Sequence, residues 1–167
     1  MVWSFEVLAY VPVAGEFEEV FFEGDHSESF TWIVFSDGMD SWCSVFPEKG
    51  SDHLRIFVHQ HLATVLTGGL LYVIDLVLRR ASLVYRPQSA FQDLITDGRS
   101  AFAVDGKCIY VFEQDQLVKV VSGYYFDMFR FLKITSTSVF GSFYQYGGDW
   151  TPITLDRGSL ELIGREI

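Results

Sequence analysis

Polar and apolar positions along this chain alternate with a period of two, or cluster in short apolar runs between turn residues, and helical periodicity is hard to find. Trp3-Ser-Phe-Glu-Val-Leu-Ala-Tyr-Val predicts a first strand, ended near Pro12 and Gly15. Glu19-Val-Phe-Phe-Glu predicts a shorter one, stopped by Gly24-Asp25. Phe30-Thr-Trp-Ile-Val-Phe leads into Ser36-Asp37-Gly38, a turn signal because Gly tolerates positive φ. Trp42-Cys-Ser-Val-Phe is closed by Pro47 and Gly50, and Leu54-Arg-Ile-Phe-Val-His-Gln-His follows as a further strand. The stretch from Leu62 to Arg80 can be drawn as an apolar helix, but Gly68-Gly69 inside it would cost roughly 2 kcal/mol. As a turn between two strands the pair costs little, so the strand reading is preferred.

Comparing the chain with itself exposes a recurring phrase. Val65-Leu, a Gly68-Gly69 turn, Leu71-Tyr-Val-Ile-Asp75, Arg79-Arg80 and Ala81-Ser-Leu-Val-Tyr85 form one copy. Ala101-Phe-Ala-Val, an Asp105-Gly106 turn, Ile109-Tyr-Val-Phe-Glu113 and Leu117-Val-Lys-Val-Val121 form a second. Val139-Phe-Gly-Ser-Phe-Tyr, a Gly147-Gly148-Asp149 turn, Pro152-Ile-Thr-Leu-Asp156, Arg157-Gly158 and Ser159-Leu-Glu-Leu-Ile163 form a third. Each reads strand, Gly-containing turn, strand ending in an acid, short turn, strand. Tyr72 and Tyr110 lie 38 positions apart, and Tyr110 and Ile153 lie 43 apart. Over residues 62–163 this grammar, with Thr96-Asp97-Gly98-Arg99 before an apolar strand, resembles the WD-type and YVTN-type blade repeats of β-propellers. The Gly-His and Trp-Asp dipeptides of the WD signature are missing. A plain series of hairpins produces the same pattern. The expectation is an all-β fold, with antiparallel sheets from repeated hairpins arranged as a partial propeller or a sandwich. A single domain over residues 1–167 is expected, with an acidic part at 1–50 and a repeat-like part at 62–163.

Composition supports this picture: 49% of the 167 residues are hydrophobic and 17% aromatic, including 16 Phe, enough for one core rich in sheet-forming residues. The longest uncharged apolar stretch, Leu62 to Ile74, is too short for a spanning helix of roughly 20 residues. The first residues lack the basic flank of a secretory signal. A soluble, cytoplasmic protein without membrane contact is expected. Cys43 and Cys108 are expected as buried thiols in a reducing compartment.

Charge changes the picture more. Residues 1–48 carry ten acids and no Lys or Arg, whereas the rest of the chain holds 12 of each sign, so the net charge of −10 belongs to the N-terminal third. Nucleic-acid binders concentrate cations for phosphate contacts, so no nucleic-acid partner is expected. Glu16, Glu18, Glu19, Glu23, Asp25 and Glu28 lie in one segment without a compensating base. With Trp32 and Trp42 as anchors they predict a docking surface for a basic protein, of the kind an inhibitor or immunity protein uses.

Catalytic signals are weak. No Gly-x-Ser-x-Gly elbow, phosphate loop or dinucleotide fingerprint occurs, and neither Cys has a basic neighbour to activate it. Asp37-Gly-Met-Asp40 is read as a turn rather than a cation loop. The expectation is a non-enzymatic chain without a cofactor. The competing reading is a small-ligand or metal-binding β domain at His53, His59 and His61, because alternate residues of a strand share a face and two imidazoles there could reach one ion. HxH resembles the opening of the cupin metal motif, yet Leu62-Ala-Thr-Val-Leu-Thr supplies no following Glu. Self-association, with a homodimer as its simplest form, is the third alternative.

Overall fold

The computed structural model describes residues 2–23, 29–48, 53–113, 116–121 and 126–163. No helix occurs among them, hence none long and apolar enough to cross a membrane. Among the described residues sixteen strands make four four-stranded sheets. In the first, β1 (Ser4–Leu8), β2 (Glu18–Phe21), β3 (Ser29–Ser36) and β4 (Ser41–Glu48) take the order β1-β3-β4-β2. The second is a simple meander of β5 (Arg55–His59), β6 (Leu62–Thr67), β7 (Leu70–Asp75) and β8 (Arg80–Tyr85). Further meanders follow: β9 (Asp93–Thr96), β10 (Ser100–Val104), β11 (Ile109–Glu113) and β12 (Gln116–Val121), then β13 (Met128–Ile134), β14 (Ser138–Tyr144), β15 (Thr151–Asp156) and β16 (Leu162–Ile163). The fold is all-β and mostly antiparallel. Four-stranded meanders are the unit of propeller blades, and the last three sheets each have that order.

The three copies of the sequence phrase become strands two to four of the last three sheets. Turn chemistry explains their shared grammar. Asp75 Oδ1 accepts the N–H groups of Val77 (3.0 Å) and Leu78 (2.9 Å), and Asp156 Oδ1 accepts those of Gly158 (2.9 Å) and Ser159 (2.8 Å). Asp97 and Asp105 treat the residues two and three positions on in the same way. An Asp at a strand end closes the turn with its own carboxylate. Four positions after Asp75 and Asp156, Arg79 and Leu160 take left-handed φ values of 52° and 57°, so the two turns share a conformation as well as a sequence.

Contacts divide the chain into two compact units, residues 1–86 and 87–167. The first contains the first two sheets, whose facing sides share a core of Trp3, Ile33, Phe35, Trp42 and Phe46 with Val65, Tyr72 and Ile74. Phe22 stacks on Phe46 at a centroid distance of 5.0 Å, and the buried Tyr72 donates its hydroxyl to the Glu23 carbonyl (3.0 Å). The second unit contains the last two sheets, around Phe102, Val111, Phe126, Phe129, Phe143 and Leu155. Gly141 of β14 must be Gly: a Cβ there would lie 2.7 Å from the Phe129 ring and 2.9 Å from the Arg130 carbonyl. Asp93 is buried and accepts the Phe131 N–H at 2.7 Å, tying the two sheets of this unit together.

Two local expectations need correction. The fourth strand does not stop before Pro47 but runs through it to Glu48, with Pro47 opposite Phe30. And β2 joins β4 in parallel, Glu18 beside Trp42 and Phe21 beside Val45, so the first sheet is not assembled from hairpins alone.

Candidate functional site

Alternation in the first sheet sends Trp42, Phe46, Ile33 and Phe35 into the core and their neighbours to the opposite, outer face. The strand registers then define two rows across that face. One reads Leu8, Trp32, Val45, Phe21, and the next reads Glu6, Val34, Cys43, Glu19. An apolar stripe is thus flanked by a carboxylate at either end. Phe21 is 63% exposed and meets Trp32 edge-to-face at 6.3 Å. Val45 and Cys43, of the same face, are wholly buried. Burial pushes the Cys43 thiol up to about 11, and the neighbouring Glu19 carboxylate adds to the shift. Phe30, also partly exposed, extends the apolar surface along the same face.

The predicted residues separate into distinct groups. Glu19 and Trp32 lie on the outer face, half-buried, and the exposed Glu23 follows Phe21 by two positions. Trp42 does not: it is wholly buried, 5.4 Å from the Phe35 ring, and serves the core rather than a partner. Strand parity decides this, because Trp32 and Trp42 point to opposite faces of one sheet. Glu18 is not uncompensated either. Arg79, from the β7–β8 turn, ion-pairs with both Glu18 and Asp40, so a base distant in sequence neutralises part of the acidic segment. Glu16 accepts the Val13 N–H within its own turn (3.1 Å). Asp25 and Glu28 lie outside the described residues. Sequence reasoning missed Phe21 and Glu6. The signal was available in the alternation of each strand, but the parallel register that brings β2 beside β4 was not.

The histidines are arranged differently from expectation. His59 ends β5 opposite Leu62, and Gln60-His61 form the two-residue hairpin turn, Gln60 with φ of 55°. His59 and His61 therefore do not occupy alternate positions of one strand, and the geometry that would aim both at one ion is lost. Among the described residues no three His, Cys, Asp or Glu side chains gather into a metal-binding group. Asp37 makes a turn, as read from the sequence: its Oδ1 accepts the N–H groups of Met39 and Asp40, both at 2.9 Å, which hold its carboxyl below the usual range. Cys43 and Cys108 are both free thiols, and burial raises Cys108 too, helped by the Asp105 charge.

No protein-family profile matches the chain, and no curated protein matches it. Among solved structures it is similar to the AfRom2 CNH domain, at 10% identity and a TM-score of 0.46, over 75% of this chain and 44% of that one. The chain thus spans less than half the length of that protein.

Proposed function

We propose that this chain is a non-enzymatic protein-binding module, and that the outer face of its first sheet docks a basic protein surface. The reading rests on one observation. The exposed Phe21 meets the half-buried Trp32 edge to face in one row of that sheet face, and the adjacent row ends in Glu6 and Glu19. No Lys or Arg occurs in residues 1–48, and no base among the described residues pairs with Glu6, Glu19 or Glu23. Aromatic anchors supply affinity when desolvated, and surrounding charge steers encounter and fixes orientation. A protein that covers the cationic site of a toxin or nuclease, as inhibitors and immunity proteins do, would need this combination. No observation favours the histidine-centred alternative to the same degree.

The test is kinetic. The basic protein that the immobilised chain retains best at low salt is purified, and its association is followed by surface plasmon resonance. Combined Glu6→Lys, Glu19→Lys and Glu23→Lys substitution should slow association at least tenfold and flatten its salt dependence, since rim charges act mainly on the on-rate. Phe21→Ala should instead speed dissociation. Rates that ignore both variants would reject the proposal.

A further inference from the structure

The second unit holds a cleft of about 250 Å³ at one end of its two sheets, remote in sequence from the acidic face. Phe102 and Val111, almost wholly buried, and the half-buried Leu160 form its floor, and its rim carries Arg99, Glu113 and Arg157. Arg157 is already committed. Its guanidinium pairs with Asp97 at 2.7 Å, donates to the Thr135 carbonyl at 2.5 Å and to Ser100 Oγ at 3.2 Å, and lies over the Phe102 ring. That clamp ties the β9–β10, β13–β14 and β15–β16 turns together through one side chain. Arg99 and Glu113 are different. Both are exposed, one of each sign, and neither side chain has an ion-pair or hydrogen-bond partner among the described residues. They flank the start of β10 and the end of β11, where Ser100 is paired with Glu113.

An open cation, an open anion and an apolar floor in a space this small select a ligand by three features at once: a carboxylate for the fork of Arg99, an ammonium for Glu113, and a hydrocarbon body. We propose that the cleft binds a small apolar amino acid, with its carboxylate on Arg99, its ammonium on Glu113 and its side chain against Leu160. A simple anion is a poorer fit, because Glu113 would repel it and Arg157 is matched by Asp97. The site belongs to residues 97–160 and does not depend on the outer face of the first sheet.

Calorimetric titration of the full chain with leucine, isoleucine, valine, methionine and phenylalanine tests this. Saturable one-to-one binding of at least one of them is expected. Capping its amine by acetylation, or its carboxylate as the amide, should weaken binding by roughly tenfold or more, the weight of one charge-assisted hydrogen bond. Arg99→Ala and Glu113→Gln should do the same with an unchanged thermal midpoint, since both side chains are exposed. Glu6→Lys should leave the affinity alone. Absence of saturable binding by all five amino acids would overturn the proposal, as would capped forms or rim variants that bind as well as the originals.

Discussion

Aspartates at strand ends and glutamates on strand faces do different work. In the second unit Asp93, Asp97, Asp105 and Asp156 are consumed by the fold. The buried Asp105 accepts the Lys107 and Cys108 N–H groups at 2.7 Å each and the Tyr110 hydroxyl at 2.9 Å, which leaves it no oxygen to offer a partner. In the first unit Glu6 and Glu19 stand on strand faces, at the ends of an apolar stripe, and bond no turn. The difference lies in side-chain length and position. A short Asp beside Gly or at a strand end reaches its own backbone, whereas a Glu in the alternation of a strand reaches outwards. Net charge therefore does not locate a binding surface. What locates it is the subset of acids that the backbone leaves unused.

The sharpest way to break this contrast is to truncate the two tryptophans of the first sheet. Trp42→Ala should lower the unfolding free energy by about 3–5 kcal/mol, as loss of a fully buried ring does, read by urea denaturation. Trp32→Ala should cost about 1 kcal/mol and appear chiefly as faster partner dissociation. Equal destabilisation by both would remove the distinction between core and docking face. Next, Asp105→Ala should cost about 3 kcal/mol, because the buried Tyr110 hydroxyl and two part-buried N–H groups lose their acceptor, while Glu6→Ala should stay within about 0.5 kcal/mol of wild type. A smaller effect is expected from Arg79→Met, about 1 kcal/mol from two partly exposed ion pairs, shrinking as salt is added. Arg79→Gly should recover part of that loss, since φ at this position is 52°.

The smallest effect is the pH response. Met39 and Asp40 N–H groups hold Asp37 low, and the Ser159 N–H does so for Asp156. For Asp97 burial acts upwards, but the Ser100 and Arg99 N–H groups and Arg157 outweigh it. Carboxyls lowered in the folded state contribute stability above their unfolded value near 4, and lose it as pH falls through the folded value. Denaturation midpoints should therefore drop below about pH 4, and Asp156→Asn should flatten that limb. A flat profile would show that these turns close equally well without charge.

Much of the architecture was legible in the sequence because turn chemistry and period-two alternation are local. The Gly68-Gly69 turn and the Asp75 and Asp156 strand ends each follow from residues within one hairpin, and the 38-residue spacing of Tyr72 and Tyr110 shows the same hairpin phrase repeated. The candidate site was less legible because it depends on pairings between distant segments. Nothing near Glu18 announces Arg79, 61 positions away, and nothing in β2 announces that its partner is β4 in parallel. The HxH reading failed for a related reason: two residues can be a turn as readily as a continuation of a strand, and Gln60-His61 is the turn.

The parallel β2–β4 seam also has a kinetic meaning. An edge strand held on one side only is the piece of a sheet that detaches at least cost, well before global unfolding. Cys43 lies directly across that seam from Glu19 and is wholly buried, so thiol reagents should reach it only when the strand leaves. Its labelling rate under native conditions is thus a clock for the peeling of Glu18–Phe21, and a partner that clasps Phe21 should stop it.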